Sequence, residues 1–398
     1  MTPEDTIVCL CARQHFDGNH RRQVAGICQD RKIRWNAVFH TAEQHGVSPL
    51  VLASLKKCGE ELGIPSEVLA SFKRSAVHSV FVQERTTEVL TEVLALFARK
   101  GIDLMLVKGA ALSRVVYAQP WYTRFADIDL IINAGREEIG EADRGEIIAT
   151  LEGFNDHPGR FQLHIEYDFL AHHDVTMNDL LPVDSQRVWH EARRIRIGEH
   201  DAFVMAPEDM VIAACVNSCR HRFFRLKSLC DIAEIIERFP DLDWDALISK
   251  ARQYECNTIL YTAFVVAQMT LGCSLPDRLF SDLEVNPVRA FVIRRVAARL
   301  WQSLSLTELF TRSEGALLDR AFSWPLFLVY ATYRVDQAST RLTSLCRSGL
   351  QGRSDRRIPR RSARLSGQVV PRGDGGITEV NRVRAAVDCR AVPPHTPQ

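Results

Sequence analysis

The hydrophobic pattern of the chain changes period twice. Over the first 100 residues or so, apolar positions recur at helical spacing. "WNAVFHTAEQHGVSPLVLASLKKC" (35–58) breaks at Gly-Val-Ser-Pro. "TEVLTEVLALFARKG" (87–101) carries Val89, Leu90, Val93, Leu94, Leu96 and Phe97 on one broad face, with Gly101 suited to a C′ position. The segments then shorten. "IDLMLVK" (102–108) is apolar and followed by Gly, which predicts a buried strand. "AALSRVVY" predicts a helix, "DIDLII" (127–132) a second strand, and "REEIGEADRGEIIATLEG" (136–153) a polar helix. "FQLHIEYDFL" (161–170) alternates with period two. It sets His164, Glu166 and Asp168 on one face and Leu163, Ile165 and Tyr167 on the other.

From Pro207 the helical period returns. Pro207 suits a first helical position, with Glu208 and Asp209 in the first turn. "RLKSLCDIAEIIERF", "DWDALISKARQYE" and "NTILYTAFVVAQMTLG" continue the pattern. The expected class is α+β. A small mixed-sheet α/β core over 101–200 is flanked by a helical N-terminal region (1–100) and a helical C-terminal domain (201–340). A tail over 341–398 is rich in Arg, Ser and Gly with few large apolar residues, which predicts disorder.

Composition is that of a soluble globular protein, 46% hydrophobic and 25% charged. The formal net charge of +1 is unevenly spread: from Arg341 onward 12 Arg face four acids, leaving the remainder at −7. Nucleic acid is not an expected partner. The Arg run at Arg356, Arg357, Arg360 and Arg361 has no interleaved aromatics and reads as a solvated tail. Eleven cysteines with no Cys-x-x-Cys predict free thiols in a reducing, cytoplasmic setting. The N-terminal apolar stretch is interrupted by Glu4, Asp5 and Arg13, unlike a signal peptide. The most apolar runs, Ile259–Leu271 and Ala321–Tyr330, fall short of the ~20 residues a membrane span needs and read as buried helices.

The candidate chemistry lies at Asp127 and Asp129. Two aspartates at i and i+2 on a strand share a face, and Leu130, Ile131 and Ile132 mark that strand as buried. Like charges packed together in low dielectric are costly without a partner. A hard divalent cation, Mg²⁺ or Mn²⁺, would remove that cost. Glu166 would be a third carboxylate if its strand lies alongside, and three acids of this kind can hold two metal ions for in-line phosphoryl transfer. The bland alternative is a solvated strand end, or a pair neutralised by Arg124. Gly109, at a strand-to-helix junction, would let backbone approach a phosphate, and Lys108 would add a point charge.

"LVKGAAL…Y…R…DIDLII" resembles the nucleotidyltransferase superfamily. It is more closely similar to an uncharacterised bacterial nucleotidyltransferase family with a Lys-Gly-Ala-Ala-Leu turn, a downstream Tyr and Arg, and Asp-Ile-Asp-Leu. "WNAVFHTAEQHGVSPL" is similar to that family's N-terminal helices. "PEDMVIAACVNSCRHRFFRLKSLCDIAEII" with "DWDALISKARQY" is similar to its C-terminal ones, so the likeness spans about residues 5–330. The resemblance implies that Asp127 and Asp129 bind metal, that Glu166 is the third acid and activates an acceptor hydroxyl, and that Gly109 marks the phosphate-facing turn. Two departures stand out. Gly109-Ala110 replaces the superfamily's Gly-Ser. Asp168 stands two residues after Glu166, where relatives carry His, which adds a carboxylate or shifts the register of Glu166.

Other residues read less sharply. Arg124 would clamp a triphosphate or neutralise the aspartates. His164 reads as a supporting or surface histidine, and His172 and His173 as loop. Arg222, Arg225 and Lys227 would face the nucleotide or the acceptor, with Lys227 pairing Asp231 at i, i+4. The expected activity is transfer of a nucleoside monophosphate, AMP from ATP, to a hydroxyl of an unknown small molecule, peptide or protein. Its nucleotide-binding residues would be Lys108, Gly109, Arg124 and Lys227. The alternative is a non-catalytic nucleotide- or partner-binding module on the same fold.

Overall fold

The computed structural model describes residues 1–59, 62–125, 127–133, 146–147, 149, 162–166 and 181–314. Most of the helix expected over 136–153 lies outside these residues. So do Asp168, His172, His173, the run 321–330 and the Arg-rich tail.

Helices α1 (Pro3–Cys11), α2 (Gly18–Asp30), α3 (Trp35–Gln44), α4 (Ser48–Cys58) and α5 (Ser66–Arg99) come first. A capping box starts α1: Thr2 accepts from the Asp5 amide while Asp5 accepts from the Thr2 amide. The long helix α5 ends in a Schellman turn. Gly101 takes φ +67°, its amide bonds the Ala98 carbonyl, and the Ile102 amide bonds that of Phe97. This turn delivers the chain into β1 (Leu104–Leu106), followed by α6 (Lys108–Val115), a 3₁₀ turn (Pro120–Tyr122), β2 (Asp127–Ile132) and β3 (Gln162–Glu166).

After α7 (Ser185–His190) comes a hairpin of β4 (Arg193–Ile197) and β5 (His200–Val204). The helical pattern had not suggested it. Its two-residue loop opens with Gly198 at φ +58°, the left-handed position such loops require. The helices α8 (Pro207–Arg220), α9 (Leu226–Arg238), α10 (Trp244–Gln253) and α11 (Asn257–Leu271) follow. The last described are α12 (Leu279–Asp282), α13 (Pro287–Ser303) and α14 (Leu306–Glu314).

The five strands form one mixed sheet in the order β3-β2-β1-β5-β4. β1 runs antiparallel to β2, with Leu106 opposite Leu130, and parallel to β5, with Leu106 opposite Val204. β2 and β3 are parallel, with Asp129 in register with His164. The fold is thus α+β with a mixed sheet and helical flanks. The flanks do not form separate cores: Val8, Leu55, Phe97, Met105, Leu130, Leu229 and Phe264 belong to one buried cluster. Arg13 reaches across it to the Leu271 carbonyl at 2.7 Å. No helix among the described residues is long and apolar enough to cross a membrane. Cys9, Cys219 and Cys256 are free, and burial pushes their thiols up to about 12, far from reactivity at neutral pH.

Candidate active site

β2 sets the geometry. Its even alternation puts Asp127, Asp129 and Ile131 on one face and Ile128, Leu130 and Ile132 on the other. Asp127 stands at the exposed start, whereas Asp129 is nearly buried. The backbone joins this strand to the preceding turn, since the Val107 amide bonds the Asp129 carbonyl at 3.1 Å. Lys108, the next residue, sends its ammonium to Asp129 Oδ1 at 2.8 Å. Lys108 has φ +51°, a left-handed conformation that costs a residue with a Cβ about 1–2 kcal/mol. Strain of this kind is tolerated where the surroundings hold it, and here it aims the amine at the carboxylate.

Gly109 is required for a reason local spacing does not reveal. A Cβ added there would meet the Phe125 side chain at 2.6 Å. The close approach that fixes Gly109 is therefore to Phe125, just ahead of β2. Arg124 is engaged by a different acid in the described geometry. Its guanidinium pairs with Glu43 of α3, whose other carboxylate oxygen accepts from Ser48 and Ser75. Lys227 pairs with Asp231 at 2.6 Å, the expected i, i+4 contact.

The parallel register of β2 and β3 brings Asp127 opposite Gln162, Asp129 opposite His164 and Ile131 opposite Glu166. Glu166 thus sits on the adjacent strand, two residues or about 6.6 Å beyond the level of Asp129. His164, which spacing ranked below Glu166, holds the position beside Asp129. Register decides this, and register depends on which strands pair.

Cations gather on the side facing α8 and α9. His221, at the end of α8, has its pKa pulled down to about 3, first by burial and then by Arg225, Arg220, Lys227 and Lys108. The turn after it holds two consecutive residues at positive φ, Arg222 (+55°) and Phe223 (+60°). The Lys108 turn and the start of α9 therefore both lie close enough to His221 to act on its charge. Among the described residues, three ligand-type side chains meet elsewhere: His15, Glu234 and Glu237. They already satisfy one another and Gln14. His15 Nδ1 lies 2.8 Å from Glu237, and Glu234 accepts from the Gln14 amide and side chain.

The family model described as uncharacterised nucleotidyltransferase matches residues 31–272, from α3 through the sheet to the end of α11. The chain belongs to this uncharacterised nucleotidyltransferase family, and its general role is that of a nucleotidyltransferase. A comparison with curated proteins and one with solved structures gave no match.

Proposed function

We propose that the chain moves AMP from ATP to an acceptor hydroxyl, the hydroxyl oxygen bonding the α-phosphorus as pyrophosphate leaves, with Mg²⁺ or Mn²⁺ held by Asp127, Asp129 and Glu166. The observation that carries this reading is the pair of aspartates on one face of a buried strand, of which Asp129 is paired with the Lys108 ammonium. The donors suit a hard cation, being carboxylate oxygens. Bound there, the metal would polarise the phosphoryl group and offset its charge. Lys108 would turn from Asp129 to the β- and γ-phosphates. The field of Arg220, Arg225 and Lys227 would favour the triphosphate, and Glu166 would accept the proton of the acceptor hydroxyl. Catalysis would then be mainly positioning and charge stabilisation. The acceptor class stays open between a small molecule, a peptide and a protein side chain.

A second reading, a non-catalytic nucleotide- or partner-binding module, draws support from Gly109, whose small size Phe125 already explains. Calorimetric titration of a non-hydrolysable ATP analogue, with and without Mg²⁺, separates the readings in part. It would be run on wild type and on Asp127→Asn/Asp129→Asn. Mg²⁺-dependent binding lost in the double variant supports the metal site. Labelled ATP and an acceptor screen then report transfer. Equal binding in both proteins, or none in either, removes the metal site.

A further inference from the structure

The connection from α6 to β2 joins the Lys108–Gly109 turn to the Asp127–Asp129 strand and, together with the β1–β2 ladder that ties Val107 to Asp129, sets how the two stand to one another. One carboxylate holds both of its ends. The Tyr117 hydroxyl donates to Asp231 Oδ1 at 2.6 Å, and the Thr123 hydroxyl reaches the same oxygen at a longer 3.5 Å. Lys227 Nζ closes on the other oxygen at 2.6 Å. Asp231 is buried on α9, 4% exposed, so these bonds form in low dielectric.

We propose that Asp231 is a positioning residue: by bridging Tyr117 and Thr123 it fixes the spacing between the Lys108–Gly109 turn and the Asp127–Asp129 strand.

The surroundings fit that role. Gln14 accepts from the Ala118 amide and donates to the Val116 carbonyl, and Gln83 donates to the Thr123 carbonyl at 3.3 Å. Arg124 is tied to Glu43 and Phe125 is packed on Gly109. Several polar groups of this connection are therefore held by separate elements, and Asp231 bonds a side chain near each end. Its two oxygens are already engaged, which sets it apart from a proton acceptor. Burial, and then the charge of Asp231, push the Tyr117 phenol well above its ordinary range, so it remains a donor at every working pH.

This inference rests on the proposed function in one respect, that the strand so placed binds metal. The test uses the full chain as Tyr117→Phe and Asp231→Asn, with Ile235→Val as a variant that weakens α9 packing alone. Two readouts are taken well below every melting temperature: amide hydrogen exchange, and Mn²⁺ binding by electron paramagnetic resonance with a non-hydrolysable ATP analogue. Tyr117→Phe and Asp231→Asn are expected to speed exchange over 116–130 roughly fivefold, the effect of one lost buried hydrogen bond. They are expected to weaken Mn²⁺ affinity about tenfold, the low end for loss of a group supporting a metal site. Ile235→Val should do neither. Unchanged exchange over 116–130 in both variants overturns the bridge. Faster exchange with unaltered Mn²⁺ affinity overturns its link to the site. If wild type takes up no Mn²⁺, the metal reading fails, and the exchange result still decides whether Asp231 holds the connection.

Discussion

Lys108 Nζ, just past the end of β1, and Asp129 Oδ1, on β2, stand 2.8 Å apart, with both side chains mostly removed from solvent. The pair balances a carboxylate that would otherwise sit in low dielectric. Removing one partner of a fully buried pair costs ~3–5 kcal/mol, and the residual exposure here lowers that to ~2 kcal/mol. Lys108→Met should therefore lower the melting temperature by about 4–8 °C without metal. Added Mg²⁺ should raise the melting temperature of Lys108→Met more than that of wild type, because the cation replaces the lost charge. Differential scanning calorimetry with and without Mg²⁺ measures both. Equal Mg²⁺ shifts in the two proteins would show that no metal binds at Asp129.

Gly109 makes a separate prediction. A methyl group there overlaps Phe125, and overpacking of this kind costs ~1–3 kcal/mol. Gly109→Ala should lose that stability with no nucleotide present, as read by urea denaturation. Adding Phe125→Leu should return part of it. Loss of nucleotide affinity at unchanged stability would instead make Gly109 a phosphate-facing residue first.

These two contacts show what the sequence could and could not reveal. β1, α6, β2, the Gly101 cap, Pro207 at the start of α8 and the Lys227–Asp231 pair were all legible, because each depends on residues within one turn or one strand. The shared face of Asp127 and Asp129 follows from period two alone. Phe125 on Gly109 is a packing contact across 16 residues, and Glu43 reaches Arg124 across 81. No periodicity encodes either. The β4–β5 hairpin was missed because "RRIRI" carries arginines on its outward positions at a sheet edge, which dilutes the apolar alternation. The level of Glu166 relative to Asp129 depends on strand register, which hydrogen bonding between distant segments sets.

The helical region below the sheet is held by a buried charge centre. Lys250, 1% exposed on α10, pairs with Asp209 of α8 at 2.6 Å and with Glu191 just after α7. Burial raises the Asp209 carboxyl above its ordinary range despite the lysine. Lys250→Met should destabilise by ~3–5 kcal/mol, since buried Asp209 loses its cation and Glu191 keeps only Arg187. The double variant Lys250→Met/Asp209→Asn should recover a measurable part. Guanidinium unfolding of the three proteins gives the comparison, and additive losses would show that the two residues do not act as a pair.

His45 supplies part of the acid limit of stability, alongside His221, whose pKa is pulled down further still. His45 is buried between α3 and α4, accepts from the Leu226 amide at Nδ1 and donates from Nε2 to the Leu306 carbonyl. Both bonds are made by the neutral ring, and burial lowers its pKa from 6.5 to about 4. The unfolded chain therefore binds this proton more readily than the folded one between those values. The stability contributed by neutral His45 is fully present above pH 6.5 and is lost as pH falls through 4, up to ~3 kcal/mol at ~1.4 kcal/mol per unit. Glu4, held down to about 2 against burial by its bonds to Arg34, adds its own loss only below pH 4.5. Urea unfolding at pH 7, 6, 5 and 4 should thus show stability falling between pH 6.5 and 4. His45→Gln, less stable at pH 7, should show a shallower fall over the same range. A slope over that interval identical in the two proteins would mean that another group takes up the proton.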